Sequence, residues 1–412
     1  MFYLSLAWRN LWRNHRRTLI TVSSVSSVSF AVLLSLFVGS LNRGVHNQMI
    51  DNMARFHTGF MQLQDWHYKD EASLDNSLAF TADLQAQLQQ QLPQDSFLVP
   101  RLETFMLAGG EQQVRGALVL GVDAAAEQQL NGLQQRLVAG EFFQPGDGRV
   151  VLSEGLARRL QLSAGDELVL LGQGRYSMTA SGLFEVAGLI RHPLRELDNQ
   201  LVYLSLPDAQ YLLSAEGQLT SLLITPAEVS LIDPLAQVLR AQLDVSLYRV
   251  ETWRELLPEL LEAIRFDNAQ QVFMLGILYM VIGFGLFGTV LMMTLERNRE
   301  FGVLLSLGMQ RWQLGLVLFL ETLLICLLGV VGGFLLGVPL IYWFYFNPIP
   351  LSGDMADLVE EFGMGLEPML SFSAELDIFY TQGLVIFMLA LLIGLYPLLR
   401  VMRLDILAAS RS

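Results

Sequence analysis

Four stretches of this chain, at 18–41, 272–295, 314–346 and 383–399, are apolar and long enough to cross a bilayer, which takes about 20 helical residues. The last is short and carries Pro397 near its end. No other feature constrains the fold as strongly, because a backbone in lipid must bond to itself and so spans as helix or closed barrel. The first stretch is longer than the 7–15 apolar residues of a secretory signal, and no small-residue cleavage site follows it. Its serines, Ser23, Ser24, Ser26, Ser27 and Ser29, suit either close helix packing or a weakly hydrophobic anchor.

Arginine placement predicts the orientation. Arg9, Arg13, Arg16 and Arg17 precede the first span, Arg297, Arg299 and Arg311 separate the second from the third, and Arg400, Arg403 and Arg411 follow the fourth. Segment 347–382 has seven acidic residues and neither Lys nor Arg. Both termini and the 296–312 loop are therefore expected in the cytoplasm, with 42–268 and the acidic 347–382 loop outside. Within 1–17, Leu4, Trp8, Leu11 and Trp12 recur at helical spacing opposite the arginines, which predicts an amphipathic interfacial helix on the cytoplasmic leaflet. Residues 400–412 form a cytoplasmic tail.

Region 42–268 holds most of the polar sequence. It reads as helix-prone at 84–92 and 253–266 and as short strands with glycine punctuation between ("ALVLGVD", "RVVLSEG", "DELVLLG", "FEVAGLI", "QLVYLSL"). The expected fold is thus a membrane protein of four transmembrane helices with a large α+β extracytoplasmic domain between spans 1 and 2.

Several function classes are excluded. A net charge of −14 disfavours a nucleic-acid partner. Lys69 is the only lysine and stands in no Gly-Lys-Ser/Thr loop, so this sequence carries no P-loop ATPase site. Cys326 is the only cysteine. The five histidines show no metal spacing, and His57 and His67 read as surface residues. No catalytic residue, cofactor site or metal site is expected.

Two polar features of the membrane region stand out. In "ERNREFGVLLSLGMQRW" (296–312), residues 300–308 predict a two-turn helix with Val303, Leu304 and Leu307 on one apolar face and Gly308 as C-cap. Such a face, returned to water, needs a partner. Glu321 lies two turns into the third span, where an ionisable group costs about 2.5–3.5 kcal/mol to insert. A packing clasp to Thr289, Thr294 or a serine of the first span is expected for it, ahead of a transport relay. Gly329, Gly332, Gly333 and Gly337 in the same span permit close helix approach.

Four separated motifs carry a resemblance. "RVVLSEGLARRLQLSAGDELVLLG" and "FEVAGLIRHPLRELDNQLVYLSLPDAQYLLS" resemble the periplasmic core domain of FtsX/MacB-type ABC transporter permeases. "ERNREFGVLLSLGMQRWQL" resembles the segment after that family's second span, and "YPLLRVMRLDILAASR" resembles its end. The resemblance covers essentially the whole chain, and the layout is most like the lipoprotein-releasing LolC/LolE permeases. The 296–308 motif departs from the form in that pair, which leaves the cargo open.

The resemblance implies a MacB-like periplasmic core domain and a bacterial inner-membrane, multi-pass permease of the mechanotransmission type. It also implies a separate ABC ATPase subunit in two copies, which would bind the ATP, a second permease subunit (the same or a paralogue) and a periplasmic chaperone or adaptor. Glu300, Gly302, Val303, Leu304, Leu307 and Gly308 would form the ATPase-coupling helix, and the function would be lipoprotein release from the inner membrane. The alternatives are an FtsX-like signalling permease that regulates periplasmic enzymes, or export of a peptide, toxin or lipid. An anchored ectoenzyme lacks any catalytic constellation.

Overall fold

The computed structural model describes residues 15–296, 298–362 and 368–402. Most of the expected interfacial helix, most of the tail and Arg297 lie outside these residues. The chain forms two compact units. A sheet unit comprises Asn47–Ala263 and Leu351–Met369; a helical unit comprises Met1–His46, Ile264–Pro350 and Leu370–Ser412.

The sheet unit is built on ten strands: β1 (Met61–Asp65), β2 (Phe97–Gly109), β3 (Val114–Val122), β4 (Leu137–Gly140), β5 (Arg149–Ser153), β6 (Glu167–Gln173), β7 (Thr179–Ile190), β8 (Leu201–Ser205), β9 (Ser221–Thr225) and β10 (Tyr248–Thr252). Their order is β10-β1-β9-β2-β3-β8-β5-β7-β4, with β6 paired to both β2 and β7. That double pairing closes β2, β3, β8, β5, β7 and β6 into a ring, leaving β9, β1 and β10 as an arm. Two pairs, β3–β8 and β5–β7, are parallel. The five expected strand segments all fall in this ring.

Period-two burial explains the ring. Met106 and Ala108 of β2 are buried between the exposed Phe105 and Leu107, and Leu168 and Leu170 of β6 are buried beside Val169 and Leu171. One apolar cluster draws on all six ring strands and on α4 (Glu154–Leu160) and α5 (Leu206–Leu212). The arm packs on α2 (Ala82–Gln91) and α6 (Ile232–Gln242) through a second cluster. In α6, Leu235, Ala236, Leu239 and then Leu243 recur at i, i+1, i+4 and i+8, one stripe of a helix. Thr81 caps α2 by accepting from the Leu84 N–H, and α3 (Ala124–Asn131) is capped by Asp123, which accepts from Ala125 and Ala126.

The helical unit contains α1 (His15–Met53), α7 (Pro258–Glu296), α8 (Asn298–Ser306), α9 (Arg311–Phe346) and α11 (Leu376–Met402); α10 (Asp354–Phe362) belongs to the sheet unit. Four of these helices are long and apolar enough to span a membrane. α1 and α7 run on beyond their expected spans, by chain, into the sheet unit. The helix expected at 253–266 is broken. Trp253–Leu256 is a single turn closed by a Thr252/Glu255 capping box, and α7 starts afresh at Pro258. Pro258 cannot donate an N–H and pushes Leu257 out of helical geometry, here to φ −121°, ψ 56°.

α9 meets α1 along the predicted glycines. A Cβ built on Gly329 would stand 2.5 Å from Val28 Cβ, and one on Gly333 2.5 Å from Val32 Cβ. Ser29 seals this seam: its hydroxyl donates to the Gly329 carbonyl at 2.9 Å. On its other side α9 approaches α11, where Gly394 lies against Phe319 and Gly315 against Leu398.

Candidate coupling site

α8 sits between α7 and α9, and its two sides differ. Phe301 is fully buried and Leu305 nearly so, four residues apart, and both pack on Leu314 and Leu318 in the first turns of α9. Val303 and Leu307, also four apart, are 54% and 79% exposed. Leu304, expected on the exposed face, is half-buried against the α9 cluster. The exposed apolar face therefore reduces to Val303 and Leu307, with the exposed Ser306 between them. Gly302 is buried, and Glu300 is half-buried in the first turn, where the helix dipole favours an acid.

The end of α8 is a Schellman motif. Met309 N–H donates to the Leu304 carbonyl and Gly308 N–H to the Leu305 carbonyl, both at 3.1 Å. Gly308 has φ +100°, a conformation that side chains resist, and so meets the expectation of a C-cap. Met309 and Leu304 both pack against the Phe301, Leu305, Leu314 and Leu318 cluster. One residue on, Gln310 and Gln313 cap α9 reciprocally. The turn from α8 into α9 is thus held by backbone bonds at Gly308 and Met309 and by the Gln310/Gln313 cap, and α8 packs on α9 through Phe301 and Leu305.

Glu321 is buried in α9, 6% exposed. Of the hydroxyls expected to clasp it, Thr289 donates to the Leu286 carbonyl and Thr294 to the Val290 carbonyl, each within its own helix.

The sheet unit holds a polar network with no local sequence signal. Arg101 of β2, 1% exposed, donates to both carboxylate oxygens of Glu127 at 3.2 and 2.5 Å, and to the His57 carbonyl at 2.5 Å. Asn131 donates to Glu127 at 2.6 Å. Burial opposes the charge on Arg101, but the Glu127 carboxylate outweighs it and keeps the guanidinium charged. Burial and the Arg101 charge push His57 down to about 4, which corrects its reading as a surface residue; His67 is exposed beside Asp65. His192 is buried, with the Phe56 ring against its own, and burial drives it down to about 3. Both imidazoles are neutral at pH 7. Among the described residues His192 Nε2 and the Tyr203 hydroxyl are buried without a partner. No group of three metal-ligating side chains exists among the described residues.

A two-part layout, four long apolar helices and a large mixed domain inserted after the first, defines a class of membrane permease, and the known proteins agree. The family profile for the MacB-like periplasmic core domain matches residues 18–242, and that for the FtsX-like permease C-terminal region matches 272–406. The chain belongs to the FtsX/MacB family of ABC transporter permeases and is a multi-pass inner-membrane protein. The lipoprotein-releasing system transmembrane protein LolC of Neisseria meningitidis serogroup B is 21% identical over 339 residues, covering 79% of this chain and 78% of that one. LolC of Xylella fastidiosa (strain 9a5c) is 24% identical over 260 residues, 60% of this chain and 61% of that one. Among solved structures, the periplasmic region of MacB from Actinobacillus actinomycetemcomitans is 12% identical with a TM-score of 0.36, covering 52% of this chain and 97% of that one.

Proposed function

We propose that this permease couples ATP hydrolysis on a separate ATPase subunit to extraction of an envelope substrate, by mechanical transmission rather than through a channel. The complex would contain two ATPase copies and two permease subunits, with both termini of this chain in the cytoplasm. The observation that carries the proposal is α8, which offers Val303 and Leu307 to solvent while Phe301 and Leu305 pin it to α9. A push on Leu307 would be delivered to α9 and, through the glycine seam, to α1. Lipoproteins are the favoured cargo because the two relatives described above carry that name. A periplasmic chaperone or adaptor would receive it.

The test is Leu307→Asp in the assembled complex. Fully burying such a side chain is worth about 1.5–3 kcal/mol, and the aspartate adds a stranded charge. Each 1.4 kcal/mol is about tenfold in affinity, so the variant should lose its ATPase on co-purification by about a hundredfold while inserting normally. A variant that retains the ATPase and still stimulates it refutes the proposal. Orientation is tested by single cysteines at Gln112 and Gln310 in a Cys326→Ser background. An impermeant thiol reagent should label the first in intact cells and not the second.

A further inference from the structure

α7 is packed in its second half and bare in its first. Leu286, Val290 and Thr294 recur at i, i+4 and i+8 and are buried, and the Phe287 ring meets Tyr396 of α11 with centroids 4.7 Å apart. From Ile264 to Gly285 no residue of the helix is buried. Val272, Phe273 and Met274 are 63–72% exposed, and three consecutive residues sweep about 200° of a helix.

What holds the first half is polar. Asn42 of α1 donates to the Gln271 side chain at 2.5 Å, His46 and Asp267 share a hydrogen bond at 2.8 Å, and the Tyr279 hydroxyl donates to the Gln382 side chain of α11. Side-chain bonds between membrane helices are individually weak. The α1 segment they reach is anchored elsewhere. Ser40 exchanges two hydrogen bonds with Ser373, at 3.0 and 2.6 Å, and Arg43 pairs with Asp377 at 2.6 Å. When the two helices part, α7 is therefore the one that moves.

The change from bare to packed falls on three glycines. A Cβ built on Gly283, Gly285 or Gly288 would meet nothing within 4 Å. Gly329 and Gly333 admit a neighbouring helix; these three admit none. Gly283 and Gly285 lie on nearly opposite sides of α7, since two residues turn a helix by about 200°, so no single neighbour accounts for both. Their effect falls on α7 itself, where glycine loosens the helix and favours a kink. At its other end α7 starts at Pro258, after the non-helical Leu257, so the first half lies between two joints.

We propose that the first half of α7, residues 264–285, is a hinged arm that swings away from α1 about Gly283, Gly285 and Gly288. The Asn42–Gln271, His46–Asp267 and Tyr279–Gln382 hydrogen bonds are the latch that holds it shut. The helix is continuous through the glycines here, so this structure is the latched state. The inference rests on the packing of the helical unit alone and does not depend on the transport reading.

The test places nitroxide pairs on the full-length Cys326→Ser chain in lipid nanodiscs, diluted with unlabelled chain, and reads distances by pulsed electron resonance. Phe30→Cys with Gly276→Cys spans α1 and the arm, and Phe30→Cys with Met292→Cys spans α1 and the packed half; all three sites are exposed. The first pair should give two distances and the second pair one. Asn42→Leu, His46→Leu and Tyr279→Phe together should raise the longer population of the first pair at least about tenfold and leave the second pair unmoved. Adding Gly283→Ala, Gly285→Ala and Gly288→Ala, which clash with nothing, should reverse that rise by stiffening the straight helix. A single distance for the first pair that is indifferent to the latch, a shift shared by both pairs, or alanines without effect overturns the proposal.

Discussion

In the sheet unit the bulkiest fully buried side chain is Arg101, hydrogen-bonded to Glu127 inside a core of aliphatic residues. In the helical unit helices meet closely at glycines: Gly329 and Gly333 admit Val28 and Val32, and Ser29 bonds the Gly329 carbonyl. The difference follows from the surroundings. A domain in water gains from burying apolar area and can hold a charge pair within it. Helices in lipid gain nothing from burying leucine against leucine, so close approach and carbonyl bonds hold them together. One unit should therefore break when charge changes, and the other when volume changes.

The largest expected effect is in the sheet unit. Arg101→Leu strands the Glu127 carboxylate and should cost about 3–5 kcal/mol. Adding Glu127→Leu should recover most of that. If the double variant is no more stable than the single one in chemical denaturation, the pair is not what holds this region.

Acid should act next, on the same unit. His57 and His192 titrate at about 4 and about 3 when folded, below the usual 6.5. Between pH 6.5 and 4 the unfolded chain binds protons that the folded chain refuses, so stability is full above 6.5 and falls as pH drops through that window. The loss should be on the order of 2–3 kcal/mol per imidazole. Hydrogen exchange in the ring strands should rise between pH 7 and 4.5, and less so in His192→Gln. A flat profile would show the imidazoles to be solvated.

Volume is the lever in the helical unit. Gly333→Leu drives a side chain into Val32 and should cost about 1–3 kcal/mol or more, read as early loss of the monodisperse species in detergent. Gly283→Leu, on α7, meets nothing within 4 Å and should have no effect. Equal behaviour of the two would erase the contrast. Ser29→Ala should be smallest, about 0.6 kcal/mol, the average for an interhelical bond in membranes.

How much of this the sequence revealed depends on the range of the signal. The four spans and the Gly308 cap are local patterns and could be read directly. The long strand β2 was missed because Pro100 and Arg101 interrupt it, both residues that argue against a central strand. Its pairing with Glu127, 26 positions away, leaves no local pattern, and neither does closure of the ring through β6. The inner and outer sides of α8 were only partly legible. At 100° per residue Phe301, Val303, Leu304, Leu305 and Leu307 cover roughly 200° of the helix, with Leu304 near the middle of that arc, so periodicity could not assign Leu304 to the inner or the outer side. Phe301 and Leu305, four apart and facing Leu314 and Leu318, were the signal that would have done so.

The claim that α8 receives the ATPase's motion can be tested by contact. A photoreactive residue placed singly at Val303, Leu305 or Leu307 in the assembled complex should cross-link the ATPase from positions 303 and 307. From Leu305, which faces α9, it should give only intramolecular products. Cross-links from 303 and 307 to lipid alone, or equal ATPase capture from all three positions, would contradict the account.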